Sequence, residues 1–306
     1  MDFLSSADFS GREIGEIFAI ADHFKQGNYS FVDGGTVLAL LFEKPSTRTR
    51  VSFEAAMIQL GGNTIYIDAS TSQLSRGEMV RDTGRVLGSY VDMVAARMYR
   101  QTDLAELAKS SDAPVINALT EMEHPCQALS DLYTIREHLG KVDGARIAFV
   151  GDISDNVANS LMVSATRIGA SISLVGPKGF KPNGKYVKLA RENGKVEIFD
   201  DPKKGLNDAD IVYTDTFVSM GQEKWAEMRR KLFKPYQVNS EMLGYAKRSA
   251  VVMHCLPAHR GEEITSDVLD GKRSIVWQQA KNKLLIEKAI ILYLYKKRRK
   301  ELDSVI

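Results

Sequence analysis

Nine short apolar runs recur along the chain, each followed by a longer stretch of helical period, and this alternation is what most constrains the fold. The runs are TVLALLF at 36–42, NTIYID at 63–68, DMVAAR at 92–97, PVINAL at 114–119, RIAFVGD at 146–152, SISLVGP at 171–177, VEIFD at 196–200, DIVYTDTF at 210–217 and AVVMHCLP at 250–257. Strands alternating with helices predict an α/β protein built on mostly parallel sheets flanked by helices. The intervening segments carry matching apolar stripes. Phe53, Ala56, Met57 and Leu60 follow the i, i+3, i+4, i+7 spacing, and Val80, Leu87, Tyr90 and Val91 make a similar stripe. Both are expected to face the core.

A chain of 306 residues suits two domains or one large α/β domain. One long helical segment, His124 to Leu139, follows the fourth run and ends in the breaker GKVDG at 140–144. A polar turn after four βα units and before five more predicts the domain boundary there. A last helical segment, Lys283 to Leu302, places Leu284, Leu285, Ala289, Leu292 and Tyr293 at apolar positions and is expected to pack back on the first domain. Its basic tail, KKRRK, reads as a solvated helix end rather than a nucleic-acid arm, because cations suit the negative end of the helix dipole.

Lys and Arg number 41 against 39 Asp and Glu, a formal charge of +2. That balance gives no global case for binding nucleic acid or an anionic membrane, so any anion affinity must be local. The two cysteines, Cys126 and Cys255, have neither disulfide-framework nor metal-ligand spacing. A reducing, cytoplasmic compartment and no metal are expected. The start MDFLSSADFSGREIGE predicts no signal peptide, and the longest apolar runs fall far short of the ~20 residues of a membrane span.

The stretch Phe42-Glu43-Lys44-Pro45-Ser46-Thr47-Arg48-Thr49-Arg50 joins the first strand to an amphipathic helix. Hydroxyls and arginines in a first helical turn, beside free backbone N–H groups and the positive dipole end, make a cradle for a phosphate. A simple helix cap accounts for one hydroxyl, not for two interleaved with two arginines. Arg97 closes the third run, and His124 and Gln127 follow the fourth in HPCQ. Strand C-termini are where open α/β sheets bind ligands, and these three donors converge with the cradle on one small anion, placed to polarise a carbonyl oxygen attached to it. By contrast, GDISDNVANS lacks the second and third glycines of G-x-G-x-x-G, which disfavours a nucleotide cofactor. No cofactor is expected.

Together PSTRTR, ARxY, HPxQ and a late HCLPAHRGEE resemble the aspartate/ornithine carbamoyltransferase family, in the right order and over nearly the whole chain. The resemblance implies a carbamoyl-phosphate domain at 1–140 completed by a C-terminal helix at 284–306, and an amino-acid domain at 145–283. Carried over residue by residue, Ser46, Thr47, Arg48 and Thr49 would hold the phosphate, with Arg97, His124 and Gln127 on the carbamoyl group. Gln73, in STSQLSRGEMVRDT, would be donated to a neighbouring subunit's site in a homotrimer. Asn156, Asp215, Ser219 and Met220 would bind the amino acid, and Cys255 and Leu256 of HCLP would complete the meeting point of the substrates. Ser219-Met220-Gly221 is similar to the ornithine members of the family. One stretch departs from it: where members commonly carry an arginine in QAENR, this chain has Gln279-Ala280-Lys281-Asn282-Lys283. Lys283 keeps the charge without the planar fork, and Lys281 is the alternative if the register slips. The implied activity is transfer of a carbamoyl group from carbamoyl phosphate to the δ-amine of L-ornithine, giving citrulline within arginine metabolism. The rivals are transfer to another amine, such as putrescine or a modified ornithine, and a noncatalytic phosphate-binding protein of the same fold.

Overall fold

A computed structural model describes residues 1–219 and 223–303, and the chain forms two compact units, Met1–Ser130 with Lys283–Ile306, and Asp131–Asn282. In the first, α1 (Gly11–Lys25) precedes β1 (Val37–Phe42), α2 (Thr47–Gln59), β2 (Asn63–Asp68), α3 (Val80–Tyr90), β3 (Met93–Arg97), α4 (Gln101–Ser110), β4 (Val115–Leu119) and the start of α5 (Pro125–Leu139). In the second come β5 (Arg146–Val150), α6 (Asn156–Arg167), β6 (Ser171–Val175), α7 (Gly184–Arg191), β7 (Val196–Phe199), α8 (Pro202–Leu206) and β8 (Ile211–Thr214). The chain then runs through α9 (Ala226–Phe233), α10 (Ser240–Leu243), β9 (Val251–His254), α11 (Ser266–Leu269) and α12 (Val276–Asp303). The division between the units falls inside α5 and again inside α12, and the 140–144 turn lies within the second unit.

All nine apolar runs form strands, in two wholly parallel sheets ordered β2-β1-β3-β4 and β7-β6-β5-β8-β9. Each order reverses once, at β1/β3 and at β5/β8. There the successive crossovers go to opposite sides and leave a crevice at the strand C-termini. The paired ends are Phe42 with Arg97 in one sheet and Val150 with Thr214 in the other. These two pairs mark where ligands can enter.

The central strands are buried on both faces, as parallel strands covered by helices must be. Leu38 to Leu41 and Val94 to Ala96 are fully inaccessible. The α2 stripe behaves as expected, with Phe53, Ala56, Met57 and Leu60 all at 0% exposure. The α3 stripe does so in part: Val91 is buried and Val80 and Leu87 are half-buried against the same core, but Tyr90 is 76% exposed, and the buried residues within that helix are Gly84 and Gly88. The reason is close packing on α4. A Cβ at Gly88 would lie 2.7 Å from the Asp112 nitrogen, and one at Gly84 2.8 Å from the Leu107 oxygen. Two glycines therefore set the closest approach to α4, and Tyr90 lies off that contact. The last helix begins at Val276, ahead of the expected Lys283, and its residues from Lys283 onward belong to the first unit. Among the described residues no helix is long and apolar enough to cross a membrane.

Gly88→Ala is expected to destabilise the protein by about 1–3 kcal/mol through overpacking. Gly15→Ala on α1, where a Cβ meets nothing within 4 Å, should stabilise it by about 0.5–1 kcal/mol through helix propensity. Urea unfolding of the two variants checks both signs.

Candidate active site

In the first unit the site grows from the β1/β3 crevice. Ser46, extended at φ −159°, is the N-cap of α2 and accepts from the Thr49 N–H at 3.3 Å. One hydroxyl is thus spent on the helix, while Thr47 and Arg48 stand exposed in a first turn with no acidic residue. The two arginines of the motif diverge. Arg50 lies 3.7 Å over the Tyr66 ring and pairs with Glu54 at 3.0 Å, so its charge is already compensated. Arg48 has no acidic partner among the described residues.

Arg97 ends β3 at a register shift, where Ala96 pairs with Asn117 but Arg97 with Leu119. Such an irregularity re-aims a side chain. The guanidinium is 6% exposed, and its Nε has no hydrogen-bond partner. Burial, reinforced by the neighbouring Arg48 charge, draws its pKa down to about 10. A buried cation with an idle donor and a second cation beside it calls for an anion.

His124, just ahead of α5, is 5% exposed. Burial, then the charges of Lys283 and Arg97, hold its pKa well below the usual imidazole value, so the ring is neutral. Lys283 reaches it from α12, with Nζ 3.4 Å from His124 Nε2 and 3.1 Å from Gln127 Oε1. An ammonium can only donate, so both groups accept from it. Lys281, the alternative in the shifted register, is exposed. Gln73 is also exposed, opening a short 3-10 turn (Gln73–Arg76) that Gly77 ends in a left-handed conformation (φ 94°).

In the second unit the β5/β8 crevice is acidic. Asp215 follows β8, and its Oδ1 accepts from the Thr216 N–H at 2.7 Å. Burial first, then the Asp215 charge and a hydrogen bond to Asp215, push the Cys255 thiol well above its usual range, so it remains a thiol. Asp155, the N-cap of α6, accepts from the Asn156 N–H at 2.6 Å. Burial and the charges of Asp215 and Asp152 raise its pKa well above the usual carboxylate range. The protonated form of Asp155 is thus favoured, and in it the carboxyl O–H donates a hydrogen bond to Asp215. Asp152 is itself neutralised in a buried ion pair with Arg229, whose Nε donates to the Phe217 oxygen at 2.7 Å. That bond anchors the segment leading to Ser219. Met220 lies outside the described residues.

Leu256 sits at φ 59°, before a cis peptide to Pro257. A leucine in the left-handed region carries about 1–3 kcal/mol of strain, and the Leu256 N–H is held by His254 Nδ1 at 2.9 Å. The other ring nitrogen then donates to Glu263 Oε1 at 3.0 Å. Asp215, His254 and Cys255 place potential metal-ligating atoms within 4.8 Å of one another, but both His254 nitrogens are already committed.

The carbamoyl-phosphate-binding domain model of the aspartate/ornithine carbamoyltransferases matches residues 1–137, and the Asp/Orn-binding domain model matches 143–294. The chain belongs to the aspartate/ornithine carbamoyltransferase family. It is 47% identical over 299 residues to the anabolic ornithine carbamoyltransferase of Pyrococcus furiosus, covering 95% of each chain. It is 49% identical over 301 residues to the ornithine carbamoyltransferase of Ignicoccus hospitalis, covering 95% of this chain and 97% of that one. Its structure matches the Pyrococcus furiosus enzyme with a TM-score of 0.91, covering 95% of each chain. The anabolic enzyme of Campylobacter jejuni also gives 0.91, at 37% identity and with 97% and 99% of the chains covered.

The chemistry of the residues pointed to the cradle, Arg97, His124 and Gln127, and the family resemblance to Asp215 and Cys255, but two groups escaped sequence reasoning. Asp155, the N-cap of α6, carries no motif of its own. The Asp131, Tyr213 and Gln279 set, bonded at 2.7 to 3.1 Å deep in the second unit, has no local motif, since only folding joins its members.

Because the Asp215 charge raises the Cys255 pKa, Asp215→Asn should lower it. Alkylation of Cys255 by iodoacetamide should be slow at pH 8 in the unaltered protein and faster in the variant, as quantified by mass spectrometry. Equal rates would remove Asp215 as a cause of the raised pKa.

Proposed function

We propose that this carbamoyltransferase transfers the carbamoyl group of carbamoyl phosphate to the δ-amine of L-ornithine, producing citrulline and phosphate in the cytoplasm as a step of arginine metabolism. The observation that carries this reading is the buried Arg97 with its idle Nε beside Arg48 at the β1/β3 crevice. In this reading Ser46, Thr47, Arg48 and Thr49 hold the phosphate, and Arg97, His124, Gln127 and Lys283 the carbamoyl group. The neutral His124 can share a hydrogen bond with the carbonyl oxygen without adding a competing proton to the amine. The first unit is then the carbamoyl-phosphate domain and the second the ornithine domain. Asn156, Asp215, Ser219 and Met220 bind ornithine, and Cys255, as a thiol, orients groups rather than attacking. Names shared with relatives at 47% and 49% identity support the choice of ornithine.

The δ-amine attacks the carbamoyl carbon as the C–O bond to phosphate breaks, and the amine proton leaves with the phosphate or to solvent. A free alkylammonium resembles lysine, with a pKa near ~10.4, so the reactive neutral form grows with pH. Activity is expected to rise through the neutral range, and an acid optimum would contradict the mechanism.

A colorimetric citrulline assay with ornithine, putrescine and aspartate tests substrate and activity together. Product from ornithine is expected, while product from putrescine alone would favour the rival amine. Arg48→Ala and Arg97→Ala should each lose most activity, since each charge-assisted bond to the phosphate contributes about 1.5–3 kcal/mol.

Gln73, exposed on its loop, is assigned to a neighbouring subunit's site in a homotrimer. Gln73→Ala and Arg97→Ala chains, each inactive alone, should regain activity when refolded together, because a cyclic trimer containing both pairs one native Gln73 with one native Arg97. Mixed trimers that stay at background would refute the sharing.

A further inference from the structure

We propose that Glu287 is a positioning residue, whose buried carboxylate holds the Lys283 ammonium at His124 and Gln127. The inference rests on the carbamoyl-phosphate reading of the first unit and extends it to a residue that touches no substrate.

Glu287 lies on α12 one turn beyond Lys283. It is 0% exposed, among Ile286, Ala289 and Ile290, which are equally inaccessible. Neither carboxylate oxygen has a hydrogen-bond partner, and Lys283 Nζ stands 3.8 Å from Oε1. A carboxylate placed there is costly unless a cation compensates it, and Lys283 is the cation that reaches it. The need arises on the other side of the pair. A lysine has a flexible four-carbon stem and no planar fork, and Lys283 extends into a region already holding Arg97, whose charge repels it. Two neutral acceptors, His124 and Gln127, fix the front of the ammonium, and Glu287 draws on it from behind.

The groups facing the carboxylate are Lys283 from its own helix, the Ser52 hydroxyl from α2 and the Cys126 thiol from α5. Burial raises the Glu287 pKa to about 7, against the lowering effects of Lys283 and Ser52. The sign follows from that. Above pH 7 the carboxylate is ionised and holds Lys283, and below it the proton returns and the hold is lost.

The experiment compares the unaltered protein with Glu287→Gln, Lys283→Met and the double variant, measuring KM and kcat for citrulline formation and carbamoyl phosphate affinity by calorimetry at pH 6 and pH 8.5. At pH 8.5 Glu287→Gln should weaken carbamoyl phosphate by roughly tenfold, the size of one charge-assisted contact, with kcat changed much less. At pH 6 the difference should vanish, and in the Lys283→Met background the substitution should add nothing. An unchanged or tighter affinity at pH 8.5, an equal effect at both pH values, or an undiminished effect without Lys283 would each overturn the inference. Should Glu287→Gln fail to fold, Lys283→Met still decides: its affinity must lose the change between pH 6 and pH 8.5 that the unaltered protein shows. Carbamoyl phosphate binding without citrulline would instead overturn the proposed function, leaving the role of Glu287 legible in the calorimetry.

Discussion

An uncompensated guanidinium at the end of β3 is the constraint around which the first unit is arranged. Arg97 is held out of water beside Arg48, and such a pair has no favourable electrostatic energy of its own. What keeps it in place is backbone: the β1/β3 register, the irregularity against β4 and the Ser46 cap that fixes the start of α2. None of these depends on a ligand. The donors are therefore aligned before an anion arrives, and little reorganisation is needed when it does. Burial first, and then the same field, explain the state of His124. With Lys283 on one side and Arg97 near it, a third positive charge on the buried ring is disfavoured, and the imidazole remains a neutral hydrogen-bonding group.

The sequence reported strands and motif residues well because both are local. A buried parallel strand is a short apolar run wherever it occurs, so all nine were visible, and Arg97 was visible because it closes one of them. What stayed hidden was set by packing. Tyr90 belonged to a plausible stripe, yet α3 meets α4 through Gly84 and Gly88, and absent side chains leave no mark in a hydrophobic pattern. Glu287, spaced four residues after Lys283, has the signature of a solvated surface pair, and only its complete burial separates it from one. Asp155 was concealed by its own success as a cap, since a residue that satisfies one role gives no sign of a second. The choice between Lys281 and Lys283 was a question of helix phase, and it is burial that places Lys283 beside His124 and Gln127.

The second unit uses the same topological device with the opposite charge. Its crevice carries Asp152, Asp155 and Asp215 after β5 and β8, where the first carries Arg48 and Arg97 after β1 and at the end of β3. The acids do not simply repel. Asp152 is paired with Arg229, and burial together with the neighbouring acids favours the protonated forms of Asp155 and Cys255. The near-neutral total charge of the chain, 41 basic against 39 acidic residues, gives no hint of a cationic crevice and an acidic one. Composition averages them away, whereas the point at which each strand order reverses keeps them apart.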